Sequence, residues 1–141
     1  MKNLKSIMLG VVLLLAVSAA RATEVPAVIL TKTYAINTYI DAITRGKVSG
    51  VNDVLDQNAK FSMLHGNQVV SFGKKEMLDN IKFNKNVEMQ CTTSTTVVES
   101  NADLALVKVD MKYSNSVRSN YVTLVNTGAG WKITNVYSVF K

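Results

Sequence analysis

Hydrophobic and polar residues recur along the chain with two different periods. From Pro26 to about Arg45 the apolar residues return at spacings of three, four and seven, which places them on one stripe of a helix. These residues are Ile29, Ile36, Tyr39, Ile40 and Ile43. Pro26 suits a first helical turn, and Gly46 suits a helix end. The pattern therefore predicts one long amphipathic helix at the start of the folded domain.

Shorter elements follow this helix. A second short helix is predicted from Val48 to Leu55. After it, KFSML and VVSF predict two short strands around the turn HGNQ. A third helix is predicted in GKKEMLDNIKF, with Met77, Leu78 and Ile81 on its apolar side. The order up to this point is helix, helix, hairpin, helix.

The rest of the chain has the period of two that is typical of strands. Strands are predicted from Val87 to Glu99, from Leu104 to Tyr113, from Tyr121 to Val125 and in the closing segment GWKITNVYSVFK, with a turn from Asn115 to Ser119. This is an antiparallel meander with one buried face and one wetter face. Because the helical stripe must be buried against something, we expect the sheet to curve around the long helix, giving an α+β fold.

The closing strand contains one residue that does not suit a buried face. Simple alternation puts Trp131, Ile133, Asn135, Tyr137 and Val139 on the same side. A buried amide without a partner costs about 1–3 kcal/mol, so Asn135 needs a hydrogen bond. The partner is either a structural group or a ligand in a semi-buried pocket, and both interpretations stay open.

The first 22 residues have the features of a secretory signal peptide. Lys2 and Lys5 precede an apolar run from Ile7 to Ala20, and Ala20-Arg21-Ala22 suits a cleavage site. The run is shorter than the roughly 20 residues that span a bilayer, which argues against a retained anchor. We expect cleavage after Ala22, or after Ala20, to leave residues 23–141 as a single exported domain, periplasmic or secreted.

The composition of the chain limits the classes of partner and the kinds of chemistry that we expect. The chain has 16 Lys and Arg against 10 Asp and Glu, but three of the basic residues lie in the predicted signal peptide, so the mature domain carries +3. This charge is spread out, whereas nucleic-acid binding needs it on one face. We expect no nucleic-acid partner and, after cleavage, no membrane association. Cys91 is predicted to be a buried core residue. The chain shows no metal-ligand spacing and no phosphate-binding loop, so no metal or cofactor is expected.

The order of elements resembles the nuclear-transport-factor-2-like superfamily, and most of all its small exported SnoaL-like or lumazine-binding members. The segments that carry the resemblance are YIDAITRGKV, LDQNAKFSML, FGKKEMLDNI and GWKITNVYSVF. It covers the chain from about Ala27 to Phe140 and implies a cone-shaped curved sheet around the long helix. A cystatin-like fold is the alternative, but the third helix argues against it.

The resemblance also implies a pocket in the cone. Enzymes of this type place an acid or histidine base in or just after the first strand, where this chain has Met63 or Leu64, and neither can abstract a proton. We therefore favour the binding of a small apolar or aromatic ligand over catalysis. The predicted pocket residues are Tyr39, Met63, Met111, Tyr121, Asn135 and Tyr137.

The sequence also fits two alternative functions. The first is an isomerase-like or dehydratase-like enzyme that uses His65 or Asp41 as its base. The second is a homodimeric assembly module that pairs through the outer face of the sheet. Val122 and Leu124 are expected on that outer face, because their parity is opposite to that of Tyr121.

Overall fold

The computed structural model describes residues 30–141, which form one sheet with helices against its inner face. The helices are α1 (Lys32–Arg45), α2 (Val51–Val54) and α3 (Lys74–Phe83). The strands are β1 (Leu55–His65), β2 (Gln68–Gly73), β3 (Thr92–Ser100), β4 (Leu104–Lys112), β5 (Val117–Thr127) and β6 (Gly130–Phe140). The predicted signal peptide, residues 1–22, and the predicted helix start at Pro26 lie outside the described residues. Within residues 30–141, no helix is long and apolar enough to cross a membrane.

The six strands lie in the order β2-β1-β6-β5-β4-β3. The first and last strands in this order do not pair with each other, so the sheet stays open. Neighbouring strands are antiparallel except β1 and β6, which run parallel. The parallel pair arises because the meander from β3 to β6 returns to the edge of the hairpin formed by β1 and β2. The predicted α+β fold is confirmed, with this one parallel pairing added.

Local signals at its two ends define the long helix α1. Thr31 caps the start, where its hydroxyl accepts a hydrogen bond from the Tyr34 N–H at 3.0 Å. Gly46 ends the helix in the left-handed conformation, with φ of 62°. The buried face of α1 consists of Ala35, Ile36, Tyr39, Ala42 and Thr44. The predicted helix and its apolar stripe are therefore present from Lys32 onward.

The inner face of the sheet supplies the other half of the core. Alternate residues of β4 are buried, as predicted: Ala105, Val107, Val109 and Met111. In β5 the prediction was wrong, because Val122 and Leu124 are both 0% exposed and point inward. They pair directly with Val107 and Ala105 across the ladder between β4 and β5. Since paired residues share a face, the apolar residues of both strands lie in the core.

A β-bulge in β6 reverses the predicted assignment of its second half. Leu124 pairs with Ile133, but the preceding Thr123 pairs with Asn135, so Thr134 is an extra residue in the strand. Ile133 is buried as expected, but after the bulge the inward parity passes to Val136 and Ser138. Asn135 is exposed on the outer face. The prediction that it lies on the buried face was wrong.

Several boundaries differ from the predicted ones for identifiable reasons. The predicted turn from Asn115 to Ser119 was too long, because the Tyr113 N–H donates to the Ser116 carbonyl at 2.8 Å and β5 begins already at Val117. The segment before β3 is not a strand. It packs on the end of α1, where the Met89 N–H donates to the Thr44 carbonyl at 2.7 Å. Cys91, in this irregular segment, is half-exposed instead of buried in the core.

Candidate functional site

A cavity of about 120 Å³ lies where α1 and α3 meet the strands β1, β2 and β5. Its lining residues are Ala42, Ile43, Met63, Phe72, Met77, Asn80, Ile81, Asn84, Met89 and Arg118. Most of these side chains are apolar. The volume is well below the roughly 300–1,000 Å³ of sites for drug-sized ligands. It is closer to an engineered cavity of about 150 Å³ that binds benzene, so it suits one ring.

Arg118 is the charged residue of this cavity, and the protein holds it in place. Its Nε donates a hydrogen bond to Oδ1 of Asn120 at 3.1 Å, and its Nη2 donates to Oγ of Ser138 at 3.2 Å. The guanidinium carbon also lies 5.4 Å from the centre of the Phe140 ring. These contacts fix both the position and the plane of the guanidinium group.

The groups that hold Arg118 form a buried polar network. Asn120 is 0% exposed, and its Nδ2 donates to the hydroxyl of Tyr39 at 2.8 Å. Ser138 donates from its hydroxyl to Oδ1 of Asn120 at 2.7 Å. Every buried side-chain nitrogen or oxygen in the described part of the chain has a hydrogen-bond partner. Asn120 is therefore a buried amide on the inner face of the sheet with its hydrogen bonds satisfied.

Burial sets the protonation state of Tyr39. Loss of hydration raises the pKa of Tyr39 to about 12, although the charge of Arg118 and the hydrogen bond from Asn120 act in the opposite direction. The phenol is therefore neutral at physiological pH. In this neutral form its oxygen accepts the hydrogen bond from Asn120.

Arg118 retains unused donors. The two hydrogen bonds described above use Nε and one proton of Nη2, and Nη1 makes no hydrogen bond with any residue from 30 to 141. No acidic side chain in that same range forms an ion pair with it. Guanidinium groups present five N–H donors in a planar fork, and the fork matches a carboxylate. The arrangement can therefore bind an additional acceptor, preferably a negatively charged one.

Three of the six predicted pocket residues lie on the inner side. Met63 lines the cavity. Tyr39 is fully buried and contributes to the network that supports Arg118. Met111 is also buried, and it pairs with Arg118 across the ladder between β4 and β5. Met63 alone among these three contacts the cavity, whereas Tyr39 and Met111 are neighbours of the residues around Arg118.

The other three predicted residues do not reach it. Tyr121 and Tyr137 pair with each other across β5 and β6, on the face opposite to the core. Asn135 lies on that same face, beside Thr123. These three predictions of an inward position were wrong for one reason, namely that the opposite set of alternate residues faces the core. In β6 the bulge at Thr134 changes which residues face inward, and in β5 Val122 and Leu124 face inward instead of Tyr121.

Neither of the two alternative bases lines the cavity. His65 is exposed at the end of β1, in the hairpin turn to Gln68. Asp41 lies on α1 and pairs with Arg45, with Oδ1 to Nη1 at 3.3 Å. Among the lining residues that the structure describes, Arg118 is the one ionisable side chain, and a guanidinium group cannot act as a base. In the described range, no three His, Cys, Asp or Glu side chains lie close enough to share a metal ion.

Arg118, Asn120 and Ser138 were not among the predicted site residues. A signal for the first two exists, because Val122 and Leu124 are an apolar pair at strand spacing. Taking that pair as inward-facing extends the same parity back to Asn120 and Arg118. Ser138 gives no such signal, since its inward position depends on the bulge.

Comparison with known proteins places this geometry in a family. The family described as "Putative lumazine-binding" matches residues 29–138. An NTF2-like protein of unknown function from Silicibacter pomeroyi has a similar structure, with a TM-score of 0.65, 15% identity and coverage of 77% of this chain and 92% of that one. No curated protein gives a significant match.

Two further crystal structures are similar to this chain. One is an NTF2-like protein of unknown function from Shewanella baltica, with a TM-score of 0.62, 10% identity and coverage of 77% and 90% of the two chains. The other is described as a putative ketosteroid isomerase from Shewanella frigidimarina, with a TM-score of 0.56, 15% identity and coverage of 78% and 99%. At these identities the likeness concerns the fold. Since the family match spans most of its length, the chain belongs to the family described as putative lumazine-binding and has the NTF2-like fold.

Proposed function

We propose that the mature protein is an exported domain that binds a small molecule in the 120 Å³ cavity between α1, α3 and the sheet, hereafter the cone cavity. The observation that carries this proposal is the cavity itself, mostly apolar and containing one charged group held by a buried network. Small-molecule sites usually combine an apolar lining with a few fixed polar groups. Export is supported by the basic, apolar and small-residue segments of the first 22 residues.

The family description supports a heteroaromatic ligand. Lumazine is the molecule that this description mentions, and its fused rings are flat, with several carbonyl and nitrogen acceptors. The cavity holds about one ring, so the second ring of lumazine would have to extend beyond it. Lumazine is therefore the first compound to titrate, together with single-ring analogues.

Filling the cavity from the helix side is expected to remove binding. Ala42 is 2% exposed and lines the cavity, so Ala42→Leu places three more carbon atoms in that space. We expect the variant to unfold at about the wild-type temperature or slightly above it, because filling a cavity is a common way to stabilise a domain. Native mass spectrometry of protein purified from the exported fraction should then show a bound small molecule in the wild type and none in Ala42→Leu.

The matched control is Ala102→Leu, which makes the same change at an exposed loop position. This variant should keep the bound molecule. Met63→Phe provides a second way to fill the cavity, from the strand side, if the helix variant does not fold. A small molecule that stays bound in both folded cavity variants would rule out the cone cavity as its site.

We also propose a homodimer that forms through the outer face of the sheet. Tyr121 and Tyr137, half-buried cross-strand neighbours, lie on this face with Leu106 and Val139. Aromatic residues are enriched at protein interfaces. Tyr137→Lys is expected to convert a dimer to a monomer in sedimentation velocity at micromolar concentration, with Phe83→Lys, at an exposed position of α3, as the control. A wild-type protein that sediments as a monomer there would contradict this proposal.

A further inference from the structure

We propose that the ligand of the cone cavity is a compact anion, a single ring that carries a carboxylate, and that Arg118 is its anchor. This inference rests on the proposed function and specifies the class of ligand. The ring would occupy the apolar part of the cavity, and the carboxylate would accept hydrogen bonds from Nη1 and from the remaining proton of Nη2.

The unbalanced charge of Arg118 favours an anionic ligand. Arg118 is half-buried, and no carboxylate from residues 30–141 pairs with it. Removing a charge from water is expensive unless an opposite charge or several hydrogen bonds compensate. The two neutral acceptors, Asn120 and Ser138, compensate it in part. A bound anion would complete the compensation.

The orientation of the guanidinium group favours a carboxylate. The protein uses its Nε side, which bonds to Asn120 and Ser138. The end of the fork formed by Nη1 and Nη2 is the part left without acceptors from the described residues. Two parallel N–H donors at that end match the two oxygens of a carboxylate. Because Asn120, Ser138 and Phe140 already fix the group, little conformational entropy is lost when the anion binds.

The remainder of the cavity lining favours a ring. Met63, Phe72, Met77 and Ile81 are apolar, and the Phe72 ring is stacked with Phe61 at 5.6 Å between centroids. Methionine sulfur and aromatic faces both make favourable contacts with a ring. The lining therefore suits a flat apolar body, while Arg118 suits an anionic substituent. A strongly hydrated inorganic ion would gain nothing from these apolar contacts.

The test compares benzoate with benzamide, which has nearly the same shape and no charge. Isothermal titration of the mature domain at low ionic strength measures both affinities. We expect benzoate to bind roughly 10–100-fold more tightly than benzamide, since hydrogen bonds to a charged group are stronger than neutral ones. Adding salt should weaken benzoate binding and have little effect on benzamide.

Substitutions at Arg118 distinguish the contribution of this side chain to binding from that of the apolar cavity lining. Arg118→Gln should lower benzoate affinity to about that of benzamide, while benzamide affinity changes less than about threefold. Arg118→Lys keeps the charge but lacks the planar fork of donors, so its benzoate affinity should lie between those of the wild type and Arg118→Gln. This variant also provides the test if Arg118→Gln does not fold. The control is Arg45→Gln, an exposed arginine outside the cavity lining, which should change neither affinity.

The outcomes distinguish this inference from the proposed function. Equal binding of benzoate and benzamide, with both lost in Ala42→Leu, would leave the cavity as a binding site and overturn the anionic ligand. Preferential benzoate binding that persists in Arg118→Gln and in Arg118→Lys would also overturn it, because the anchor would lie elsewhere. If neither compound binds at millimolar concentration, the inferred ligand class is wrong. In that case the native mass spectrometry of the wild type and Ala42→Leu still tests whether the cavity binds a small molecule.

Discussion

Replacing Asn120 with leucine is expected to lower the free energy of unfolding by about 3 kcal/mol, because several buried groups lose their partner at once. Asn120 donates to Tyr39 and accepts from Arg118 and Ser138. The leucine side chain has a similar size but offers neither a donor nor an acceptor. Urea unfolding followed by tryptophan fluorescence measures the change, since the single Trp131 packs against the core.

Asn135→Leu is the matched control for this prediction. It makes the same chemical change fifteen residues later, on the neighbouring strand, but at an exposed position on the outer face. Exposed substitutions usually change stability by less than about 0.5 kcal/mol. If the two variants unfold at the same urea concentration, the buried network does not stabilise the domain as described. The pair thus tests which asparagine the inner face contains.

Gly46→Ala is expected to destabilise the domain by at least about 3 kcal/mol, from two causes that add. The backbone at Gly46 has φ of 62°, which disfavours any residue with a Cβ atom. In addition, a Cβ atom there would lie 2.2 Å from the Asn84 carbonyl oxygen and 2.5 Å from the Asn86 nitrogen. Both are backbone atoms, so the segment after α3 would have to move. Thermal and urea unfolding measure the loss.

Gly66→Ala separates the two causes. Gly66 has nearly the same backbone conformation, with φ of 61°, but no atom lies within 4 Å of the position of an added Cβ. This variant should lose only about 1 kcal/mol, the cost of the left-handed conformation. The difference between the two glycine variants then measures the close approach of Gly46 to the segment after α3. Equal losses would show that this approach does not constrain the domain.

The fold was predictable because its main elements repeat a clear period. The stripe containing Ile36, Tyr39 and Ile43 specifies one face of α1, and the alternation from Ala105 to Met111 specifies one face of β4. Two amphipathic surfaces of this kind have few ways to bury each other. The class of fold and the packing of helix on sheet follow from these residues.

The polar part of the site was harder to predict, for a physical reason. A one-residue bulge moves every later side chain of a strand to the other face, and nothing in GWKITNVYSVF distinguishes Thr134 from a regular strand residue. The segment NSVRSN is polar and suits a turn equally well. Its actual conformation depends on pairing with β4 and β6, which are long-range contacts. Arg118 was therefore assigned to a loop.

A crystal structure of the mature domain grown with benzoate tests the central claim most directly. The predicted result is one benzoate in the cone cavity, with its ring against Met63, Phe72 and Met77 and its two oxygens within hydrogen-bond distance of Nη1 and Nη2 of Arg118. An empty or side-chain-filled cavity, with Arg118 paired to a carboxylate of the protein, would contradict the claim.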